Sequence, residues 1–505
     1  MPLFRKVLVA NRGEIAVRVI RTCRVLGIPT VAVYSEADRT ARHVREADEA
    51  VAIGPAEARL SYLSVDNLLA AARGAGADAV HPGYGFLSQS GDFADAVKGA
   101  GLVFVGPPGD VHRRMGDKRA SRRLMAAAGV PVVPGYDGDE QSDARLLAEA
   151  RSIGWPLMLK PSRGGGGKGM RVVRREEGFQ DALAASRREA RGAFGEDAMV
   201  LERFVERPRH VEVQVMADAQ GRVVHLGERE CSVQRRHQKV VEETPSPALS
   251  PAQREALCAA GVAAARAAGY VNAGTVEFLL SPDGSFSFLE MNTRLQVEHP
   301  VTEAVSGLDL VRLQLEVAAG RPLPLAQEDV ALRGHALECR LYAEDPHNDD
   351  LPSPGRVLHL SEPEGPGIRV DSGLDPGSEV SVHYDPLLSK IVTWGQGRPE
   401  AIERMRDALR RTVVLGVVTN LARLRAIVEH PAFAAGDLHT GFIEEHLLAA
   451  ANQRSELVPS PCPPLEAIAA VAAALSRRGD ARAGARRPGP DPWASLGAWR
   501  LGEER

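Results

Sequence analysis

Cysteine is scarce and unpatterned. Cys23, Cys231, Cys258, Cys339 and Cys462 are scattered along 505 residues, with no Cys-x-x-Cys pair. This excludes a disulfide framework and a zinc site of ordinary spacing, and it suits a reducing compartment. No apolar run is long enough to span a bilayer. The N-terminus runs straight into a strand-like segment, without the apolar stretch of a signal peptide. A cytoplasmic chain with no membrane association is expected. Charge of neither sign dominates: the formal net charge is −4, so no global basic field argues for nucleic acid. The sequence has no internal repeat.

The charged fraction of 25% and hydrophobic fraction of 44% are those of an ordinary globular protein, and the length predicts several domains. Segments 6–10, 30–34, 50–53, 77–80 and 102–105 are short apolar strands, with helical segments between several of them. One helical stripe is Ile15, Ala16, Val19, Ile20, Cys23 and Leu26. The alternation predicts a doubly wound parallel sheet. Ligands bind beyond the carboxyl ends of such strands, where segments 10–14 and 81–88 fall. The loop after the first strand lacks G-x-G-x-x-G, so NAD is not assigned. Segment 81–88 fits a ligand loop and a Gly/Pro turn holding an aromatic anchor equally well.

A second unit starts near Met115-Gly-Asp-Lys118, where Asp117 is expected to cap the helix carrying Lys118 and Arg119. Further on, a strand ending in Lys160 runs into Ser162-Arg-Gly-Gly-Gly-Gly-Lys-Gly-Met170. Consecutive glycines expose backbone N–H groups that suit phosphate. This is not a Walker A loop, because Gly169 follows Lys168. A flexible hairpin turn is the alternative; the flanking Lys160 and Lys168 favour a phosphate-covering lid. Segment 199–204 is a strand with its polar end at Glu202. His210-Val-Glu-Val-Gln-Val215 alternates strictly, placing His210, Glu212 and Gln214 on one face, fit to line a cleft. Segment 228–239 is expected to be a dense basic loop with a functional role.

Phe288-Leu-Glu-Met-Asn-Thr-Arg-Leu-Gln-Val-Glu-His-Pro300 organises the chain. Segment 275–280 is a strand, Ser281-Pro-Asp-Gly284 supplies the turn, and 285–289 returns. A hairpin centred between Asp283 and Gly284 sets Glu277 opposite Glu290. Directly opposed like charges destabilise a sheet. With Asn292 on the same face, they become reasonable ligands for a hard divalent cation such as Mg²⁺. A surface hairpin with solvated glutamates is the alternative. The ribbon is expected to bend into a loop after Asn292. A third unit begins near Arg333, with a strand over 335–342 carrying Glu338 and Arg340 on one face. Segment 384–394 is a turn and strand, and 401–409 and 420–429 are helices. Beyond 450 come a Pro-rich linker, one Ala-rich helix over 465–475 and an Arg/Gly/Pro-rich stretch.

This order of parts resembles the ATP-grasp fold and, specifically, biotin carboxylase, over residues 3–447. The most specific matches are Ala10-Asn-Arg-Gly-Glu-Ile-Ala16, His81-Pro-Gly-Tyr-Gly-Phe-Leu-Ser88, Arg235-Arg-His-Gln-Lys239 and Glu290-Met-Asn-Thr-Arg-Leu-Gln-Val-Glu-His-Pro300. The resemblance implies an α/β and α+β multidomain protein. Its parts would be an N-terminal Rossmann-like domain (1–115), an ATP-grasp domain (116–330, lid about 132–204) and a C-terminal biotin carboxylase domain (331–447). Residues 448–505 would form a linker and the possible start of a further α-subunit domain.

The implied reaction is carboxylation of biotin with bicarbonate and ATP through carboxyphosphate, using Mg²⁺ or Mn²⁺, with two ions. By the same resemblance Lys118, Lys160, Gly166 and Gly167 meet the ATP phosphates. Glu202, Arg203, Phe204 and Val205 form the adenine hinge, with His210, Gln234 and His237 near the nucleotide. Glu277, Glu290 and Asn292 hold metal. Lys239, Arg294, Gln296 and Val297 bind bicarbonate, Glu298 is the base, and Arg340 with Tyr84 steadies the biotin enolate. Lys239, Arg294, Glu298 and Arg340 form the catalytic group.

Arg163 and Arg203 depart from frequent family residues. No Met-Lys-Met occurs, so no biotinyl-lysine carrier is recognised, and 491–501 resembles the opening of the next domain in longer acyl-CoA carboxylase α subunits. Implied partners are a biotin carboxyl carrier protein or domain, a second copy of this chain and a carboxyltransferase subunit. The competing readings are another ATP-grasp ligase of the carbamoyl-phosphate synthetase kind, and a catalytically silent ATP-binding regulatory subunit.

Overall fold

The computed structural model describes residues 3–163 and 169–448. The tail segments and the glycines 164–167, with Gly166 and Gly167 among them, lie outside the described residues.

The N-terminal strands form one parallel sheet in the order Glu49–Ala52, Thr30–Tyr34, Val7–Val9, Ala79–His81, Val103–Phe104. The order reverses beside Val7–Val9, and the loops that follow Val7–Val9 and Ala79–His81 meet at this switch point. Asn11 Nδ2 ties them, donating to the carbonyls of Pro82 and Tyr84 at 2.7 Å each. Gly83 adopts φ 61°, and a Cβ there would lie 2.9 Å from Asn11 Nδ2, so this close approach requires glycine.

An eight-stranded antiparallel sheet carries the centre of the molecule. Its order is Phe286–Asn292, Asn272–Leu280, Arg209–Ala217, Val223–Arg235, Gln238–Thr244, His335–Tyr342, Leu387–Gly395, Ile368–Ser372. The sheet is continuous across residue 330: Gln238–Thr244 pairs directly with His335–Tyr342. Alternation sorts the two faces, as in His210–Val215. Val211, Val213 and Val215 join the apolar core with Leu257, Cys258 and Ala264 of helix Pro251–Ala267. That helix starts on a capping box between Ser250 and Gln253. His210, Glu212 and Gln214 face the other way and are buried too. Burying a polar face requires partners, and the site supplies them.

Segment 228–239 corrects the loop expectation. Val223–Arg235 and Gln238–Thr244 are strands joined by a tight turn at Arg236 and His237, with φ 48° and 68°. Positive φ at both central residues is what a two-residue hairpin of this twist demands. Density of charge suggested a loop, whereas the charges alternate across a buried ribbon.

A smaller four-stranded sheet, ordered Gly135–Tyr136, Met199–Arg203, Leu157–Pro161, Arg171–Val173, packs on helices Asp143–Ile153 and Phe179–Phe194. Leu146, Leu157, Leu159, Phe179, Leu183 and Leu201 form its separate core.

Candidate active site

A row of charge crosses the large sheet. Arg229, Glu212, Glu277 and Glu290 are successive cross-strand partners on four neighbouring strands. The predicted pairing of Glu277 with Glu290 is present, by a route the sequence concealed. The turn is centred on Asp283, with Ser281 N bonded to Ser285 O, and Phe278 pairs with Phe288. A bulge before Glu290 then shifts the register by one.

Three carboxylates in a row need cations. Arg229, fully buried, donates from Nε to Glu212 Oε1 at 2.6 Å. Its Nη1 reaches Gln214 Oε1 at 2.8 Å and Thr302 Oγ1 at 2.9 Å. Lys239 Nζ meets Glu212 Oε2 at 2.5 Å, Glu277 Oε1 at 2.8 Å and Glu298 Oε1 at 2.7 Å. Arg340 takes the other Glu298 oxygen at 2.8 Å and Glu242 Oε1 at 2.6 Å. These are short, charge-assisted contacts among largely buried groups.

The field they create is uneven. Burial works against the charge on Glu298, yet Lys239, Arg340 and Arg229 outweigh it and hold the carboxyl well below its usual range. Glu277 is likewise held down, with Lys239 and His210 overcoming burial. Glu242 goes the other way: burial pushes it up to about 7, and Arg340 only partly offsets that. Lys239 stays firmly charged, because Glu212, Glu277 and Glu298 outweigh its desolvation.

The donor set suits a hard cation. Glu277, Glu290 and Asn292 offer oxygens from adjacent strands. Asn292 Nδ2 and Gln296 Nε2 donate to Glu277 Oε1 at 2.8 and 2.9 Å, and His210 Nε2 lies 3.0 Å from Glu277 Oε2. These contacts, with Lys239, fix the Glu277 carboxylate in place.

Around the residues expected to meet ATP, Asp117 caps helix Lys118–Ala127 as expected, accepting from the amides of Arg119 and Ala120. Burial lowers the Lys118 ammonium, while the Glu290 carboxylate opposes the drop. Lys160 is ion-paired to Glu202, which also accepts from Arg122 Nη1 at 3.2 Å. Arg203 and Phe204 donate their amides to Pro134 O and Pro156 O at 2.8 and 3.0 Å, strapping the chain that leads to Val205. Gln234 Nε2 donates to His210 Nδ1 at 2.8 Å, whereas His237 is exposed at the hairpin tip, outside this hydrogen-bonded cluster.

Strand Phe286–Asn292 ends where the bend was expected, and helix His299–Ser306 starts just after Glu298. In the intervening loop Arg294 Nη1 donates to Gln296 Oε1 at 2.5 Å and Nη2 to Asn292 Oδ1 at 3.1 Å. Arg294 Nε donates to Gln89 Oε1 at 3.0 Å. Gln89 was not among the expected residues; it directly follows the His81–Ser88 motif, which was the available signal. Tyr84 sits in the same loop with its hydroxyl buried and unbonded among the described residues. Arg229 and Glu242 were also unassigned. Their signal was the alternation within segment 228–243, masked by its charge.

Three family models match in chain order. They are "Biotin carboxylase, N-terminal domain" over 3–111, "Carbamoyl-phosphate synthase L chain, ATP binding domain" over 117–326, and "Biotin carboxylase C-terminal domain" over 338–445. The alpha subunit of mitochondrial methylcrotonoyl-CoA carboxylase from Dictyostelium discoideum is 48% identical over 497 residues, 98% of this chain and 70% of that one. A pyruvate carboxylase subunit from Methanothermobacter thermautotrophicus is 47% identical, covering 94% of this chain and all of that one. The chain belongs to the biotin carboxylase family.

It spans 62% of the mouse methylcrotonoyl-CoA carboxylase alpha subunit. The biotin carboxylase of Campylobacter jejuni, solved as a β-γ-ATP complex, superposes with a TM-score of 0.86 at 41% identity, covering 88% of this chain and 99% of that one. The biotin carboxylase domain dimer of Hydrogenobacter thermophilus 2-oxoglutarate carboxylase, solved with MgADP, ADP and bicarbonate, gives 0.85 at 45% identity, with 88% and 98% covered. ATP-dependent carboxylation of biotin is thus the activity of the family to which the chain belongs. Biotin carboxylase models flank the ATP-binding match on both sides, which separates this chain from the carbamoyl-phosphate synthetase reading. Among the described residues no helix is long and apolar enough to cross a membrane.

Proposed function

We propose that the charged row and the Arg294–Glu298 loop form one bicarbonate-activating site, organised around Lys239. The observation that carries this is the shared ammonium: Lys239 bonds both Glu277, a metal candidate, and Glu298, the candidate base. Glu298 is held ionised by Lys239 and Arg340, so it is always in the form that accepts a proton from bicarbonate. Lys239 and Arg294 converge on the anion, with Gln296 and the Val297 backbone as further contacts. Arg340, which bonds the other Glu298 oxygen, would steady charge on the biotin ring with help from Tyr84. Lys118, Lys160, Gly166 and Gly167 would meet the phosphates, and 202–205 with His210, Gln234 and His237 the rest of ATP. Glu277, Glu290 and Asn292 would hold Mg²⁺ or Mn²⁺, one or both of two ions, which supply charge neutralisation at the phosphates.

The same reading divides the chain into an N-terminal domain (1–115), an ATP-grasp domain (116–330) and a C-terminal domain (331–447), the last two sharing one sheet. The acceptor of the carboxyl group belongs to a complete enzyme with a biotin carrier and a carboxyltransferase, in line with the named activities of the relatives. A homodimer is proposed by likeness to the Hydrogenobacter dimer. A cytoplasmic site is proposed because the described cysteines are buried and free. The test is ADP release with MgATP and bicarbonate, with and without free biotin. Biotin stimulation is expected, and its absence at saturation would refute the reading.

A further inference from the structure

Lys390 is fully buried on strand Leu387–Gly395. Its cross-strand partners are Arg340 on one side and Asp371 on the other. Two cations directly opposed in a sheet interior are unfavourable unless something requires them. The Lys390 ammonium lies 3.2 Å from Glu14 Oε2 and 3.9 Å from Asp371 Oδ2. Nζ also donates to the carbonyl of Val297, at 2.9 Å the shortest of these contacts. The Tyr84 ring centroid is 5.6 Å away. Asp371 has its own cation, accepting from Arg369 Nε and Nη2 at 3.0 and 2.7 Å. Among the described residues Glu14 has no second cation within ion-pair distance.

A lysine serving only to neutralise core carboxylates needs no main-chain partner. This one also holds the carbonyl between Gln296 and Glu298. It also joins segments distant in sequence, since Glu14 opens helix Gly13–Val25 at the switch point of the N-terminal sheet.

We infer that Lys390 is a positioning residue for bicarbonate: its ammonium fixes the Val297 carbonyl and thereby the aim of Gln296 and Glu298. The inference rests on the bicarbonate reading of the Arg294–Glu298 loop. Glu14, with Asp371 and Glu338 near it, supplies the counter-charge that makes the buried ammonium tolerable, and it takes no part in holding the loop.

The roles separate in a pair of variants assayed by bicarbonate-dependent ADP release and by thermal unfolding. Lys390→Met should raise KM for bicarbonate roughly ten- to a hundredfold, the scale of one hydrogen bond from a charged donor. It should leave KM for MgATP unchanged and lower Tm, because Glu14 loses its cation. Glu14→Gln with Lys390→Met should recover part of the lost Tm and keep the raised bicarbonate KM. This double variant also reports if the single variant does not fold. Recovery of both Tm and KM in the double variant overturns the inference, as does a bicarbonate KM equal to that of the unaltered protein. If the unaltered protein shows no bicarbonate dependence, the bicarbonate reading falls and the inference with it. Dependence in the unaltered protein with unchanged KM in the double variant overturns the inference alone.

Discussion

Glu298→Gln is the substitution on which the site's chemistry turns. The side chain is fully buried, with one oxygen on Lys239 at 2.7 Å and the other on Arg340 at 2.8 Å. Glutamine keeps the shape and removes the charge and the basicity. Lys239 retains Glu212 and Glu277, and Arg340 retains Glu242, so neither cation is stranded. The fold should therefore survive, with little change in Tm. General-base assistance contributes about a hundred- to ten-thousandfold, which corresponds to roughly 3–5 kcal/mol of activation free energy. Biotin-dependent turnover should fall by that factor. ATP binding should persist, because Lys160, Glu202 and His210 lie outside the contacts of Glu298. The assay is ADP release with and without biotin, beside nucleotide binding by calorimetry. There is a pH corollary: Glu298 is held well below the usual carboxylate range, so any acid limb of kcat/KM between pH 5 and 8 belongs to another group. Near-normal turnover with intact ATP binding would refute Glu298 as the base.

Arg229→Met removes one of the two cations on Glu212 and leaves Lys239 alone to hold it beside Glu277; removing one partner of a buried pair costs up to about 3–5 kcal/mol, and a denaturant midpoint that does not move would contradict the network. Glu290→Gln should raise the Mg²⁺ concentration for half-maximal ADP release, read by metal titration, while an unchanged midpoint removes Glu290 from the ligand set. His81 supplies a pH test. Burial holds it at about 4 against an ordinary 6.5, and its Nδ1 accepts from Gly83 N at 3.0 Å. The folded state favours the neutral ring, so its contribution is complete above pH 6.5 and is lost as pH falls toward 4. That contribution is about 3 kcal/mol by linkage. His81→Gln should accordingly be most destabilising near pH 7.5 and progressively less so near pH 5, as followed by denaturant unfolding.

Much of the site was legible because it follows strand parity. His210, Glu212 and Gln214 share a face by alternation alone, and the Pro-Asp-Gly turn fixed the opposition of Glu277 and Glu290 within one residue. The bulge that restores the pairing is a property of the folded ribbon and leaves no mark in composition. The Arg236–His237 turn has no glycine or asparagine, so the hairpin it closes looked like a loop. Lys390 was invisible for a different reason. Its partners Glu14, Val297 and Asp371 come from three distant segments, and the sheet that brings them together is continuous across the boundary assigned at residue 330.

Product identity gives the most direct test of biotin carboxylation. Incubation with ¹³C-bicarbonate, MgATP and free biotin, followed by carbon NMR, reads the new bond itself. A carboxybiotin carbonyl signal is expected that requires both ATP and biotin and disappears in Glu298→Gln. ADP formation with no carboxybiotin, or a signal undiminished in that variant, would contradict biotin carboxylation with Glu298 as its base.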